Sequence, residues 1–171
     1  MSKIKIKNAR LSFPSLFRKS SFNGEEGKYE ATFLIPKKGN EEWYEETMAE
    51  IEALKKDKKI KVASDKVFIK DGDDIDYDGY EGCWAVKASN NKRPTCLDRT
   101  RSAVTEDDEL FYAGCYVNAV VEPWAQNNQY GKRINANLLG VQFVKDGEPF
   151  GDGGTSASED DFDDLGDDDD L

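Results

Sequence analysis

The chain has 171 residues, with 24 Lys plus Arg, 35 Asp plus Glu and no histidine, a length that suits one domain with an appendage better than two full domains. Absence of histidine removes the commonest general base and transition-metal ligand, which argues against zinc chemistry and a histidine-based triad. Neither a run of about 18 apolar residues nor an apolar stretch behind MSKIKIK occurs, so no membrane span or signal peptide is expected and the chain reads as a soluble intracellular protein.

The formal charge of −11 is unevenly spread. Residues 151–171 hold ten acids (Asp152, Glu159, Asp160, Asp161, Asp163, Asp164, Asp167, Asp168, Asp169 and Asp170) and no base, leaving 25 acids against 24 bases in residues 1–150. Two units are therefore expected: a nearly neutral domain over 1–150 and an acidic C-terminal tail over 151–171. The tail has only Phe162, Leu165 and Leu171 as large apolar residues, too few to offset the entropy of ordering it, and is expected to be disordered.

In chain order, Lys3, Ile4, Lys5, Ile6 and Lys7 alternate as a strand with one solvated face does, within KIKIKNARLSF. A long connection, PSLFRKSSFNGEEG, leads to a second strand over Lys28 to Pro36. A helix follows Gly39 with Asn40 as candidate N-cap; Trp43, Tyr44, Thr47, Met48, Ile51 and Leu54 fall on one face. Glutamates at its start and Lys55, Lys56, Lys58 and Lys59 at its end suit the macrodipole. Five further strand candidates follow: KVFIKDG, CWAVKAS, RPTCLD, GCYVNAVVEPW and RINANLLGVQFVKDG. The polar stretch WAQNNQYGK between the last two reads as a hairpin loop exposing Trp124 and Tyr130. This β-rich pattern (all-β or α+β) with one amphipathic helix predicts a small Greek-key barrel or a related curved sheet.

The three cysteines, Cys83, Cys96 and Cys115, lack metal spacing and are expected to be buried free thiols. Asp74, Asp76, Asp78 and Gly79 match the opening of a calcium loop, but its twelfth position is Ala85, so DGDDIDYDG is read as a solvated acidic turn. A magnesium nuclease built on Asp71, Asp73, Asp74, Asp76 and Asp78 ranks third among functional readings, because no Lys or His constellation accompanies them. No phosphate-binding GxxxxGK[ST], GxSxG or HExxH pattern occurs; catalysis, metal and cofactor are not expected.

Cations interleaved with aromatics point instead to single-stranded nucleic acid, which requires charges that track phosphates and flat faces on which bases stack. The first 38 residues carry nine bases against three acids. The candidate DNA-binding residues are Phe17, Arg18, Lys19, Trp84, Lys87, Lys92, Arg93, Arg99, Arg101, Trp124, Tyr130, Lys132 and Arg133. Alternating strands would place Phe17, Trp84 or Tyr116 in a core as readily. The tail, tethered at an effective concentration of order millimolar, is expected to compete with DNA for those cations. Its Phe162, Leu165, Asp167, Asp168, Asp169, Asp170 and Leu171 are candidates for partner binding. A rival reading is an acidic DNA mimic or adaptor that acts through the tail alone.

The blocks NARLSFPSLF, KYEATFLIPKK, YEGCWAVKAS, RPTCLD, FYAGCYVNAVVEPWA and LLGVQFVKDGEPFG resemble the Enterobacter-phage type of single-stranded DNA-binding protein over residues 4–151. The resemblance is strongest at Phe13 to Phe17, Lys28 to Lys37 and Tyr112 to Val121. It implies a five-stranded OB-fold that coats single-stranded DNA with little sequence preference in phage replication and recombination, in the cytoplasm of an infected bacterium. It also implies an acidic tail that recruits replication or recombination proteins. One departure stands out: the usual OB-fold helix lies between the third and fourth strands, whereas here only two strand candidates precede it.

Overall fold

The computed structural model describes residues 3–22, 25–77 and 79–150. The expected tail over 151–171 lies outside the described residues.

The opening alternation forms β1 (Ile4–Ser15), with Ile4 and Ile6 buried and Lys5 and Lys7 exposed. Two bulges bend this strand. Against the eighth strand its register slips between Ile6 and Ala9, where Asn8 adopts φ 53° and its amide donates to Asn118 Oδ1 at 3.0 Å. Against the fourth it slips between Ser12 and Ser15, where Phe13 adopts φ 45°. An extra residue on one strand turns the backbone and sharpens its twist. As a result β1 pairs with one neighbour over Ile4 to Arg10 and with another over Arg10 to Ser15.

Within the long connection, β2 (Ser21–Phe22) and β3 (Glu25–Glu26) form a small hairpin before β4 (Tyr29–Pro36). Helix α1 (Glu41–Lys58) buries Thr47, Ile51 and Leu54, and Trp43, Tyr44 and Met48 pack beside them on the expected face. Its N-terminus differs from expectation. Asn40 occupies the cap position but its side chain donates to Pro36 O at 2.8 Å, while the Glu41 carboxylate accepts from Gly39 N. The chain enters from a turn after Pro36, and that turn captures the Asn40 amide first.

The later segments become β5 (Ile69–Asp71), β6 (Cys83–Asn90), β7 (Thr95–Leu97), β8 (Tyr116–Asn128) and β9 (Gly131–Lys145). Neighbours in the main sheet run β5-β6-β4-β1-β8-β9-β7, and a parallel contact of Ser89 with Asn137 joins β6 to β9. That contact closes β1, β4, β6, β9 and β8 into a ring, leaving β5 and β7 as short flanking strands. A five-stranded Greek-key barrel closed in this way is an OB-fold. The helix lies between the second and third barrel strands, so the departure seen in the sequence is a real feature of this barrel.

Inside the ring, Ile6, Leu11, Phe33, Ile51, Val86, Val117, Val121, Ile134 and Leu138 are almost wholly buried. Burying each such side chain contributes roughly 1.5–3 kcal/mol. A smaller cluster of Leu34, Tyr80 and Ala85, backed by Ile75, Cys83 and Phe150, lies on the other face of β4 and β6. There the segment after β5 and the last described residues fold over the sheet, which is why Ala31 through Ile35 are all buried instead of alternating.

One correction concerns WAQNNQYGK. It is not a loop: the β8–β9 ladder continues to an Asn128–Gly131 pair, so Gln129 and Tyr130 alone make the turn. Val121 is the last β8 residue paired with β1 among the described residues, and Pro123, beyond it, has no amide to give to a ladder on that edge.

Candidate nucleic-acid interface

The outward residues of β4 and β6 floor a groove of about 620 Å³. Strand alternation aims Glu30 and Thr32 of β4, and Ala85, Lys87 and Ser89 of β6, into the same space, which Lys28 lines from just before β4. Lys66 and Lys70 line it from the chain around β5, and Arg133 and Asn135 from β9. Five cations thus face two carboxylates, Glu30 and Asp65. Among the described residues only the Lys87–Glu30 pair approaches, at 3.7 Å, with Lys87 two-thirds exposed, which leaves the Lys87 ammonium accessible to an anionic chain.

Aromatic rings mark one end of the groove. Phe13 and Tyr77 meet edge to face at 5.1 Å between centroids, and Tyr77 lies 5.4 Å from Tyr80. Phe13 is 44% and Tyr77 50% exposed, whereas Tyr80 is buried and hydrogen-bonded to Ser12 Oγ at 2.7 Å. Burial pushes the Tyr80 hydroxyl above its usual pKa, so it stays a neutral hydrogen-bonding phenol. The Phe13 ring reaches the groove because its residue sits at the second β1 bulge with a left-handed backbone, a conformation that costs a non-glycine residue roughly 1–2 kcal/mol. A strained, half-exposed aromatic at the mouth of a cationic groove suits base stacking, worth about 1–3 kcal/mol per base.

A family model described as Enterobacter phage Enc34, ssDNA-binding protein, matches residues 2–171. This chain belongs to that family. The Enc34 single-stranded DNA-binding protein, solved in complex with ssDNA, is 41% identical and superposes with a TM-score of 0.81, covering 87% of this chain and 89% of that one. Protein p50 of Acyrthosiphon pisum secondary endosymbiont phage 1 is 41% identical over 95% of this chain and 94% of its own length. The gp2.5 single-stranded DNA-binding protein of bacteriophage T7 is 13% identical with a TM-score of 0.56, covering 86% of this chain and 94% of gp2.5, and is a likeness of fold alone. The Enc34 family is one of DNA-binding proteins and not of enzymes.

In this Enc34-family domain, the candidate residues read from the sequence separate into distinct places. Lys87 and Arg133 line the groove. Tyr130, 75% exposed, and Lys132 project from the β8–β9 tip, with Trp124 half-buried in the ladder opposite Asn135. Phe17 packs against the core 6.2 Å from Phe111 and beneath the Arg93 guanidinium at 5.4 Å. Arg18 is exposed and bridges Glu106 at 2.9 Å, and Lys19 lies 5.9 Å from the Tyr29 ring. Lys92 is exposed just beyond β6, and Arg99 and Arg101 are exposed on a turn where Asp98 accepts from Thr100 and Ser102. Those hydrogen bonds hold the Asp98 carboxyl below its usual pKa. Trp84 stacks on Tyr44 at 4.1 Å and 8°, locking α1 to the sheet. Phe162, Leu165, Asp167 to Asp170 and Leu171 lie outside the described residues.

The groove also contains Phe13, Tyr77, Lys28, Lys66 and Lys70, which were not among the candidates. Period-two alternation from Ala9 and Leu11 assigns Phe13 inward, and only the bulge turns it out. Tyr77 did carry a signal, since an aromatic residue amid the carboxylates of DGDDIDYDG has no core to join.

The acidic turn itself is structural. Asp71 Oδ1 accepts from Lys37 Nζ at 2.6 Å and from Asp73 N at 2.9 Å; Asp73 accepts from Lys37 Nζ at 2.8 Å and from Gly82 N at 2.8 Å. These contacts lower both carboxyl pKa values, through the Lys37 hydrogen bond first for Asp71 and the Gly82 amide first for Asp73. Of the thiols, Cys96 and Cys115 are buried and Cys83 half-buried, all free. Burial pushes the Cys96 thiol up to about 11, so it stays protonated and unreactive near neutrality. No helix is long and apolar enough to cross a membrane among the described residues.

Proposed function

We propose that this protein binds single-stranded DNA with little sequence preference, laying phosphates along Lys28, Lys66, Lys70, Lys87 and Arg133 and stacking bases on Phe13 and Tyr77. The supporting observation is the coincidence of five groove cations with two half-exposed rings on the β4–β6 face, the face by which OB-folds take oligonucleotides. The β8–β9 hairpin, with Tyr130 and Lys132 at its tip, extends the contact surface, as the corresponding loop does in such barrels. The relative solved with ssDNA supports the ligand class. The protein coats and protects single strands during phage replication and recombination, in the host cytoplasm. Its acidic tail competes for the domain's cations as a tethered polyanion and recruits replication or recombination proteins.

Fluorescence anisotropy of a labelled oligo-dT, titrated with the full chain across a salt series, tests the reading. Binding that falls steeply with salt, and weakens further in a Lys87→Gln, Arg133→Gln variant, is expected. No binding at low salt, or equal binding by that variant, would overturn it.

A further inference from the structure

A second depression, of about 400 Å³, lies on the outward side of β1, β8, β9 and β7. Lys3, Lys5 and Lys7, alternating along β1, form one rim, and Leu97 of β7 stands on the other. The floor is aliphatic: Val120, Leu139 and Gly140, all partly exposed. Its shape comes from a bulge. Val120 pairs with Gly140 and Val121 with Leu138, so Leu139 is the extra residue, turned outward beside a position with no side chain. Outward positions on an antiparallel sheet are ordinarily polar; here apolar side chains sit beside three cations instead.

Among the described residues no aromatic side chain lines this depression, so a nucleobase has no ring there to stack on, unlike in the groove across β4 and β6. An acidic peptide with spaced apolar side chains fits better. The chain holds one: EDDFDDLGDDDDL, in which Phe162 and Leu165 stand three residues apart between aspartates. Eleven residues separate Phe150 from Phe162, a span of up to about 40 Å when extended. That exceeds the radius of gyration of a 150-residue domain, about 15 Å, so the face is within reach of the same chain.

We propose that the chain's own tail seats Phe162 and Leu165 against Val120 and Leu139, with its aspartates paired to Lys3, Lys5 and Lys7. Seated there, the tail leaves the groove's cations and the stacking positions at Phe13 and Tyr77 open, and it opposes DNA through the negative potential it adds to the domain. It also shelters its two apolar side chains while no partner protein holds them.

The experiment compares amide NMR spectra of the labelled full chain with those of full-length Phe162→Ala, Leu165→Ala. Shift differences clustered at Lys5, Lys7, Val120, Leu139 and Gly140, unchanged on dilution, are expected. Full-length Lys3→Gln, Lys5→Gln, Lys7→Gln should move the amides of residues 159–166 toward their positions in high salt. Differences centred on Phe13, Tyr77 and Lys87, or no differences, would overturn the proposal, and loss of the pattern on dilution would transfer the contact to a neighbouring copy's tail. No DNA is present, so failure here and failure of DNA binding are separate results.

Discussion

Phe13 connects backbone strain to ligand chemistry. Its φ of 45° is one that glycine adopts freely, and its ring is nearly half exposed, so little packing holds it in place. Phe13→Gly is expected to change folding stability by less than about 1 kcal/mol, because lost contacts and relieved strain offset each other. DNA affinity should fall by about 1–3 kcal/mol. Urea denaturation and oligo-dT anisotropy on the same variant read the two quantities; a parallel loss of both would assign Phe13 to the fold. Trp84 is the opposite case. Stacked on Tyr44 beneath α1, its change to Ala should cost roughly 2–4 kcal/mol of stability, while DNA affinity of the folded fraction is retained. Residue type alone ranked Trp84 above Phe13 as a DNA contact; the proposed function takes the opposite order, because the bulge exposes Phe13 and Trp84 is stacked on Tyr44.

At the scale of elements, the 3-10 turn after β5 is pinned by Lys37, which joins Asp71 and Asp73. Both carboxyls titrate lower in the folded state than in the unfolded chain. The unfolded state therefore binds more protons in the acid range, and the stability they contribute is present above their unfolded pKa and lost as pH falls through the folded values. Lys37→Ala should make the decline of the urea midpoint between about pH 5 and pH 2 shallower than in the parent chain; an unchanged slope would remove Lys37 from the turn's electrostatics. This turn carries Tyr77 to the groove, so the acidic segment that resembled a calcium loop acts as a support for an aromatic ring. The β8–β9 arm is a second element on which the proposed DNA contact rests. Tyr130→Ala at its tip should leave stability within about 0.5 kcal/mol and raise the dissociation constant for oligo-dT long enough to reach the arm, with no effect on a short oligonucleotide confined to the groove.

Across the whole molecule, charge is divided between a nearly neutral domain, whose groove gathers cations, and a segment of ten acids. The segment's root is held firmly. Phe150 lies under the Arg10 guanidinium at 3.9 Å, its amide donates to Ala113 O, and its ring packs against Gly79, where φ is +85° and a Cβ would collide with it. Gly79 and Phe150 adjoin Tyr80, a wall of the groove. Changing Asp167 to Asp170 to Asn in the full chain is therefore expected to tighten oligo-dT binding, most at low salt where screening is weakest. Equal affinity of the two forms at every salt concentration would show that the tail does not compete.

The strand-rich barrel, helix α1 and the acidic segment were legible from the sequence, because alternation, helical spacing and charge runs are local patterns set by which side chains can share one face. The blocks shared with the phage family specified the OB-fold. Where period two or 3.6 held without interruption, as at Ile4 to Lys7 or Trp43 to Leu54, burial followed the pattern. The groove was legible only in part, through Lys87 and Arg133. Its remaining members come from β1, β4, the chain around β5 and the turn before β6, segments up to some 60 residues apart. They converge because two bulges bend β1 and the parallel β6–β9 contact closes the ring. A bulge reverses which face each later residue presents, and ring closure depends on pairings distant in sequence; both are properties of the assembled sheet.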